Sequence, residues 1–393
     1  MAQLTIIATR DAALAEPPRI NSLRERVRQF TPNWFAATMG TGGLALALHQ
    51  FPLAMPGLDA LGRTLWMANI ALFVLFAALY AARWVLFFDE ARLIFRHPVM
   101  SMFLGTIPMG LATVINGFLA YGVPLWGDAA IGIARNLWWL DVGLSVACGA
   151  LVPFLMFTRQ DHSLEKMTAI WLLPIVAAEV AATSGGLLAP HLGPAEGYGV
   201  LILSYVLWAY SVPLAMSILV LLLLRLYLHK LPPRAMAASG WLALGPIGTG
   251  ALGLLVLGGN APALFAAHGL GEVGQMAFGI GIIGGLMLWG YGAWWLLLAL
   301  LKTAQYLREG LPFNLGWWAF TFPLAVYALA TLALANATGF DFFTVVGACL
   351  VVALAAAWAI VATRTAIGAW RGDLFIAPCL AAVTEAQAAR IAA

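Results

Sequence analysis

The stretch MTAIWLLPIVAAEVAATSGG, residues 167–186, decides how this chain is read. It is an apolar run long enough to cross about 30 Å of hydrocarbon at about 1.5 Å of helical rise per residue. Arg159 and Lys166 stand just before it, and no Lys or Arg follows until Arg225. The run carries a proline, Pro174, and one carboxylate, Glu179. An apolar helix with its basic residues at one end is a membrane span.

Working outward, the same layout recurs. Apolar runs fall near residues 31–50, 61–86, 98–120, 136–157, 167–188, 198–226, 238–260, 272–301, 314–336 and 341–366. The 20 Lys and Arg residues lie at their edges and alternate sides. With the N-terminus in the cytoplasm, 18 fall on that face, and only Arg63 and Arg135 fall on the other. Cytoplasmic loops retain Lys and Arg, so the split predicts ten transmembrane helices with both termini inside. Composition agrees: 63% of residues are apolar and 9% charged, against roughly 45–50% and 25% in soluble domains. The net charge of +3 is mostly this loop bias and implies no nucleic-acid partner.

Three parts are expected. Residues 1–29 form a cytoplasmic tail, residues 30–368 the membrane domain, and residues 369–393 a C-terminal cytoplasmic tail. Within the first part, PRINSLRERVRQ (18–29) sets Ile20, Leu23 and Val27 opposite Arg24, Arg26 and Arg28. That is a short amphipathic helix on an anionic leaflet. Trp66, Trp84, Trp138, Trp139, Trp241, Trp317, Trp318 and Trp370 fall near span ends, as interfacial aromatics do.

Prolines reveal a longer period. Pro32, Pro108, Pro174, Pro246 and Pro323 mark the odd-numbered spans, at intervals of 76, 66, 72 and 77 residues by subtraction. One period is one helical hairpin. Spans two, eight and ten have no internal proline, although four and six have Pro153 and Pro213. Either proline is simply common in transmembrane helices, or five hairpins form an inner circle of proline-kinked odd helices around a central pore with straighter even helices outside. Backbone groups freed by proline are tolerated at membrane depth where they are buried in protein or face a water-filled cavity.

Chemistry-bearing residues are few. No HExxH, CxxC or phosphate-loop motif occurs, and no two histidines share a helix face, so no metal or cofactor is expected and the chain reads as no enzyme. Cys148, Cys349 and Cys379 read as small apolar filler. Glu179 is the one carboxylate well inside a span. It either takes up a proton and couples transport to pH or makes a polar link between helices. Asp141, Glu272 and Asp341 are expected at span ends within reach of water. Thr41, Thr106, Thr249 and Thr321 put hydroxyls in odd spans. They either line a polar path or bond back to helix carbonyls. His49, His191 and His268 are expected at the outer interface.

The strings FTPNWFAATMGTGG (30–43), HPVMSMFLGTIPMGLATVING (97–117), WLLPIVAAEVAATSGG (171–186) and GWWAFTFPLAVYALATLALA (316–335) resemble the tellurite-resistance/dicarboxylate transporter family. Its superfamily includes plant slow anion channels, a bacterial tellurite-resistance protein, fungal malic acid permeases and fungal sulfite efflux pumps. The resemblance covers about residues 28 to 368. It implies ten helices in five hairpins around a pore lined by odd helices, assembled as a homotrimer with one pore per protomer. It also implies a plug at Phe322, beside Pro323. A bulky apolar ring beside a kink closes a pore by dewetting it. The implied substrate is a small anion, either a C4-dicarboxylate or an oxyanion of the sulfite or tellurite kind, carried across the inner (plasma) membrane. A passive gated anion channel is the alternative within the family.

Overall fold

The structure, a computed structural model, describes residues 22–381, and among them it is helical throughout, with no strand. Ten helices are labelled here in chain order. They are α1 (Ala36–His49), α2 (Leu58–Leu86), α3 (Thr106–Gly117), α4 (Asp128–Thr158), α5 (Leu173–Leu188), α6 (Pro194–His229), α7 (Leu244–Ala266), α8 (Gly271–Glu309), α9 (Phe322–Thr338) and α10 (Asp341–Arg371). Nine helical segments among the described residues are long and apolar enough to cross a membrane. The first run, Pro32–His49, is outside that set: it is short and diluted by Thr38, Gly40, Thr41, Gly42 and Gly43.

Two kinds of helix alternate. The segments carrying α3, α5, α7 and α9 are 78–94% buried over their most apolar stretch, whereas those of α2, α4, α6, α8 and α10 are 17–33% buried. The glycine-rich α1 is buried along nearly its whole length. The five buried helices pack in a closed cycle, α1 on α3, α3 on α5, α5 on α7, α7 on α9 and α9 back on α1. Each also packs against the exposed helix that follows it. Glycine permits the close approach: a Cβ on Gly40 or Gly42 would overlap Thr321 or Thr113. One on Gly43 would sit 2.8 Å from the Cβ of Ala325.

Every buried helix is preceded by a 3-10 segment: Pro32–Phe35, Met100–Gly105, Ala169–Leu172, Arg234–Ala243 and Leu315–Phe320. Here the structure corrects the expected kinks. Pro108, Pro174, Pro246 and Pro323 occupy the second or third position of α3, α5, α7 and α9, not their middles. The proline ring clashes with the carbonyl four residues back if the chain there is α-helical. Those carbonyls belong to Leu104, Ile170, Leu242 and Ala319, each in a 3-10 segment. Proline therefore marks the switch from tight to regular helix in the last four repeats, while in the first Pro32 opens the 3-10 segment itself.

Two further expectations are revised. Trp66 and Trp138 are fully buried, donating from Nε1 to the carbonyls of Val114 (3.2 Å) and Ala181 (2.9 Å). They bond outer to inner helices instead of marking the lipid interface. Asp141 is fully buried, because α4 begins at Asp128, well before the apolar run that suggested it. Glu272 and Asp341 do lie exposed in the first turns of α8 and α10. The amphipathic segment forms a helix over Leu23–Arg28, capped by the Ser22 hydroxyl, while Ile20 lies outside the described residues.

Beyond α10 the described chain folds back onto the ring. Phe375 stacks on Trp34 with centroids 4.9 Å apart. The Ala377 N–H donates to Gln29 Oε1 at 2.8 Å, and buried Arg83 donates to the Phe30 carbonyl (2.6 Å) and to Cys379 Sγ (3.4 Å).

Candidate functional site

Two cavities lie at opposite ends of the five-helix cycle. The larger, about 700 Å³, opens where the five 3-10 segments converge, with Asn33, Phe103, Ile170, Ser239 and Trp318 in its wall. The smaller, about 500 Å³, opens at the other ends of the same helices, with His49, Asn116, Thr183, Val256 and Asn336 in its wall. All five buried helices line the smaller cavity, and their five preceding 3-10 segments line the larger, so the cavities share the axis of the ring. Between them the ring is closed. On α9 the gap runs from Pro323 to Leu329, and on α3 from Thr106 to Asn116. At about 1.5 Å per residue these six and ten residues make a barrier of about 9–15 Å.

Phe322 stands at the floor of the larger cavity. It lines that cavity yet is only 5% exposed, and it belongs to an apolar cluster with Met39, Met109, Val176, Val180 and Val326. That cluster draws on α1, α3, α5 and α9, so the ring sits at the mouth of an apolar barrier. Gly43 borders it: a Cβ there would lie in ordinary contact with Phe322 Cδ2 at 3.8 Å.

The other singled-out residues divide. Pro323 and Thr106 line the larger cavity. The Thr106 hydroxyl lies 2.7 Å from the carbonyls of both Pro32 and Phe103, tying α3 to the first repeat. Thr41 accepts from Trp358 Nε1 at 3.0 Å, and Thr321 donates to the Trp318 carbonyl at 2.7 Å. Thr249 is buried with no hydrogen-bond partner for its hydroxyl. Thr41, Thr249 and Thr321, like Pro108, Pro174 and Pro246, are buried in the ring outside both cavity walls. Glu179 is fully buried and also lies outside both walls. Ser211 of α6 approaches its Oε2 at 3.2 Å, and its Oε1 has no partner. The carboxylate thus faces an outer helix.

Sequence reading overlooked several lining residues. His49 and His191, expected at the interface, line the smaller cavity, and His49 Nδ1 lies 3.9 Å from Asp59. Arg364 and Arg371, read only as loop charges, line the larger cavity together with Asp373. Their i, i+7 spacing on α10 puts both on one face, and this was the signal available.

The electrostatics of the two ends differ. Helix N-termini carry partial positive charge and C-termini partial negative charge. Five N-terminal ends surround the larger cavity, and its lining holds two guanidinium groups against one carboxylate. The smaller cavity receives five C-terminal ends, and the polar part of its otherwise apolar lining is histidine, amide and hydroxyl groups.

A multi-pass helical membrane protein with a closed ring, a cation-rich cavity and an apolar barrier belongs to the class that moves anions. Residues 29–366 match the family described as voltage-dependent anion channel, and the chain belongs to that family. It is 40% identical over 352 residues to the sulfite efflux pump SSU1 of Arthroderma benhamiae, covering 89% of this chain and 93% of the relative. An uncharacterized transporter of Methanocaldococcus jannaschii is 29% identical over 351 residues, covering 89% and 96%. The malic acid transport protein of Schizosaccharomyces pombe is 25% identical over 347 residues, covering 86% and 77%. The family consists of anion channels and transporters, not enzymes.

Proposed function

We propose that this protein moves a small oxyanion of the sulfite kind out of the cytoplasm across the plasma membrane. The observation that carries the reading is the pair of coaxial cavities parted by an apolar barrier, with cationic groups concentrated at one end only. The 40% identity to a sulfite efflux pump favours sulfite over malate. Selection by weak binding suits such a path, because strong pairing would slow release.

In this reading the ring is the lining of a pore. Pro32–His49 serves as the first of ten spans, arranged as five hairpins, and both termini are cytoplasmic. The Lys and Arg distribution supports that orientation, and it places the larger cavity inside the cell. Phe322 is the gate. It swings from the apolar cluster into the larger cavity to admit an ion, and conduction runs down the anion's electrochemical gradient. Glu179, at the α5–α6 boundary, couples protons only if that boundary opens to water. The resemblance supports a homotrimer with one pore per protomer. The test is flux of sulfite and malate from proteoliposomes: faster sulfite efflux supports the assignment, and malate flux alone replaces the substrate.

A further inference from the structure

Arg364 is fixed where an ion would enter. Its guanidinium lies over the rings of Trp317 and Phe313, with centroids 5.0 and 5.8 Å away. A guanidinium held on aromatic faces is pre-organised, so little is lost in ordering it when a ligand arrives. The neighbouring Thr365 accepts a hydrogen bond from Trp318 Nε1 at 3.1 Å, which locks α10 to the 3-10 segment ahead of α9. Trp317 is itself held by a 2.9 Å bond from its Nε1 to the Pro312 carbonyl. Arg371 lies two turns on along the same face and lines the same cavity. Asp373 is the one carboxylate in that wall, and its backbone N–H donates to the Gly368 carbonyl at 3.0 Å. The neutral polar residues Asn33, Asn314 and Ser239 lie in the same wall.

We infer that Arg364 and Arg371 form a loading site for the transported oxyanion at the mouth of the larger cavity, and that Arg364 sets its affinity from that side. The inference rests on the anion-transport reading above. A planar fork pairs two oxygens of a sulfite-like anion at once, which an ammonium does not. The mouth stays open to solvent, so the ion is held weakly and passes on to the barrier at Phe322. Because both guanidinium groups belong to one cavity, the site acts from one face of the membrane only.

The experiment measures initial sulfite flux in proteoliposomes of known protein orientation, with sulfite presented to either face in turn. Arg364→Gln and Arg364→Lys are compared with the parent and with Lys302→Gln, a basic residue outside this cavity wall. A cleft whose charge is of one sign raises local counter-ion concentration by about 10- to 1000-fold, and with Asp373 sharing the wall with the two arginines about tenfold, the low end, applies here. Arg364→Gln should therefore raise the half-saturating sulfite concentration about tenfold from the larger-cavity face and leave it unchanged from the other. Maximal flux should stay within about twofold, and the dependence on ionic strength should weaken. Arg364→Lys should fall between Arg364→Gln and the parent, and Lys302→Gln should match the parent. Equal half-saturation for Arg364→Gln and the parent at the larger-cavity face overturns the loading site while leaving anion transport intact. Equal effects from both faces overturn it too. Absence of sulfite flux in the parent instead overturns the functional reading itself.

Discussion

Replacing Phe322 by Ala should open the path. The ring is 5% exposed, held in an apolar cluster and facing the larger cavity on one side. Opening by rotation carries the ring from that cluster into water. Burial of a Phe side chain is worth roughly 1.5–3 kcal/mol, so closing is favoured by at most about that amount. At 1.36 kcal/mol per factor of ten, the closed form outweighs the open one by roughly 10- to 150-fold. Removing the ring abolishes the bias, and flux should rise by about that factor. The fold should survive, because a Phe-to-Ala core change costs about 3–5 kcal/mol and a side chain already bordering a cavity falls at the low end. Stopped-flow anion flux in proteoliposomes measures the change, with size-exclusion profile and thermal midpoint in detergent as controls. Flux within twofold of the parent from a folded variant refutes the reasoning and returns Phe322 to packing.

The remaining predictions concern folding and coupling. His97 Nδ1 accepts from the backbone N–H groups of Val99 (3.2 Å) and Met100 (3.1 Å), and burial lowers its pKa from 6.5. A lowered folded-state value means stability is present above pH 6.5 and lost as pH falls through the folded value. Thermal midpoints should drop over that acid window more steeply in the parent than in His97→Asn, whose amide oxygen keeps the cap. Half-buried His162, its pKa also lowered by burial, leaves a residual slope in both. An acid slope in His97→Asn equal to the parent's contradicts this. Gly42→Ala places a methyl against Thr113 and Asn69 and should cost about 1–3 kcal/mol, read as a lower midpoint. An unaltered midpoint would mean the α1–α3 contact is looser than described. Glu179→Gln should leave downhill sulfite flux within about twofold, since Glu179 lies in neither cavity wall. Loss of flux would put the carboxylate in the ion's path.

Much of the architecture was legible because the bilayer constrains it. Loop charge and run length located nine of the expected spans, and the recurring prolines marked the buried helices, although outer helices α4 and α6 carry Pro153 and Pro213 as well. What proline does locally was not legible. Its clash with the fourth preceding carbonyl is relieved by tightening the upstream turn as readily as by bending the helix, and the chain took the first course at Pro108, Pro174, Pro246 and Pro323. Asp141 was misplaced because α4 begins at Asp128, well before its apolar run, and Trp66 because it turns inward, where its Nε1 donates to the Val114 carbonyl. The cavity residues were half visible. Phe322 came from the family motif. The i, i+7 spacing of Arg364 and Arg371 on α10 was there to be read, whereas His49 and His191 meet in the smaller cavity from separate helical segments, and no spacing within one segment announces that meeting.

The measurement that bears most directly on the central claim is sulfite efflux from proteoliposomes holding the purified protein, with malate followed in parallel. The account predicts protein-dependent sulfite flux, faster than malate, that runs down its electrochemical gradient and rises further in Phe322→Ala. Vesicles as tight to sulfite with the folded protein as without it, for parent and Phe322→Ala alike, would contradict it.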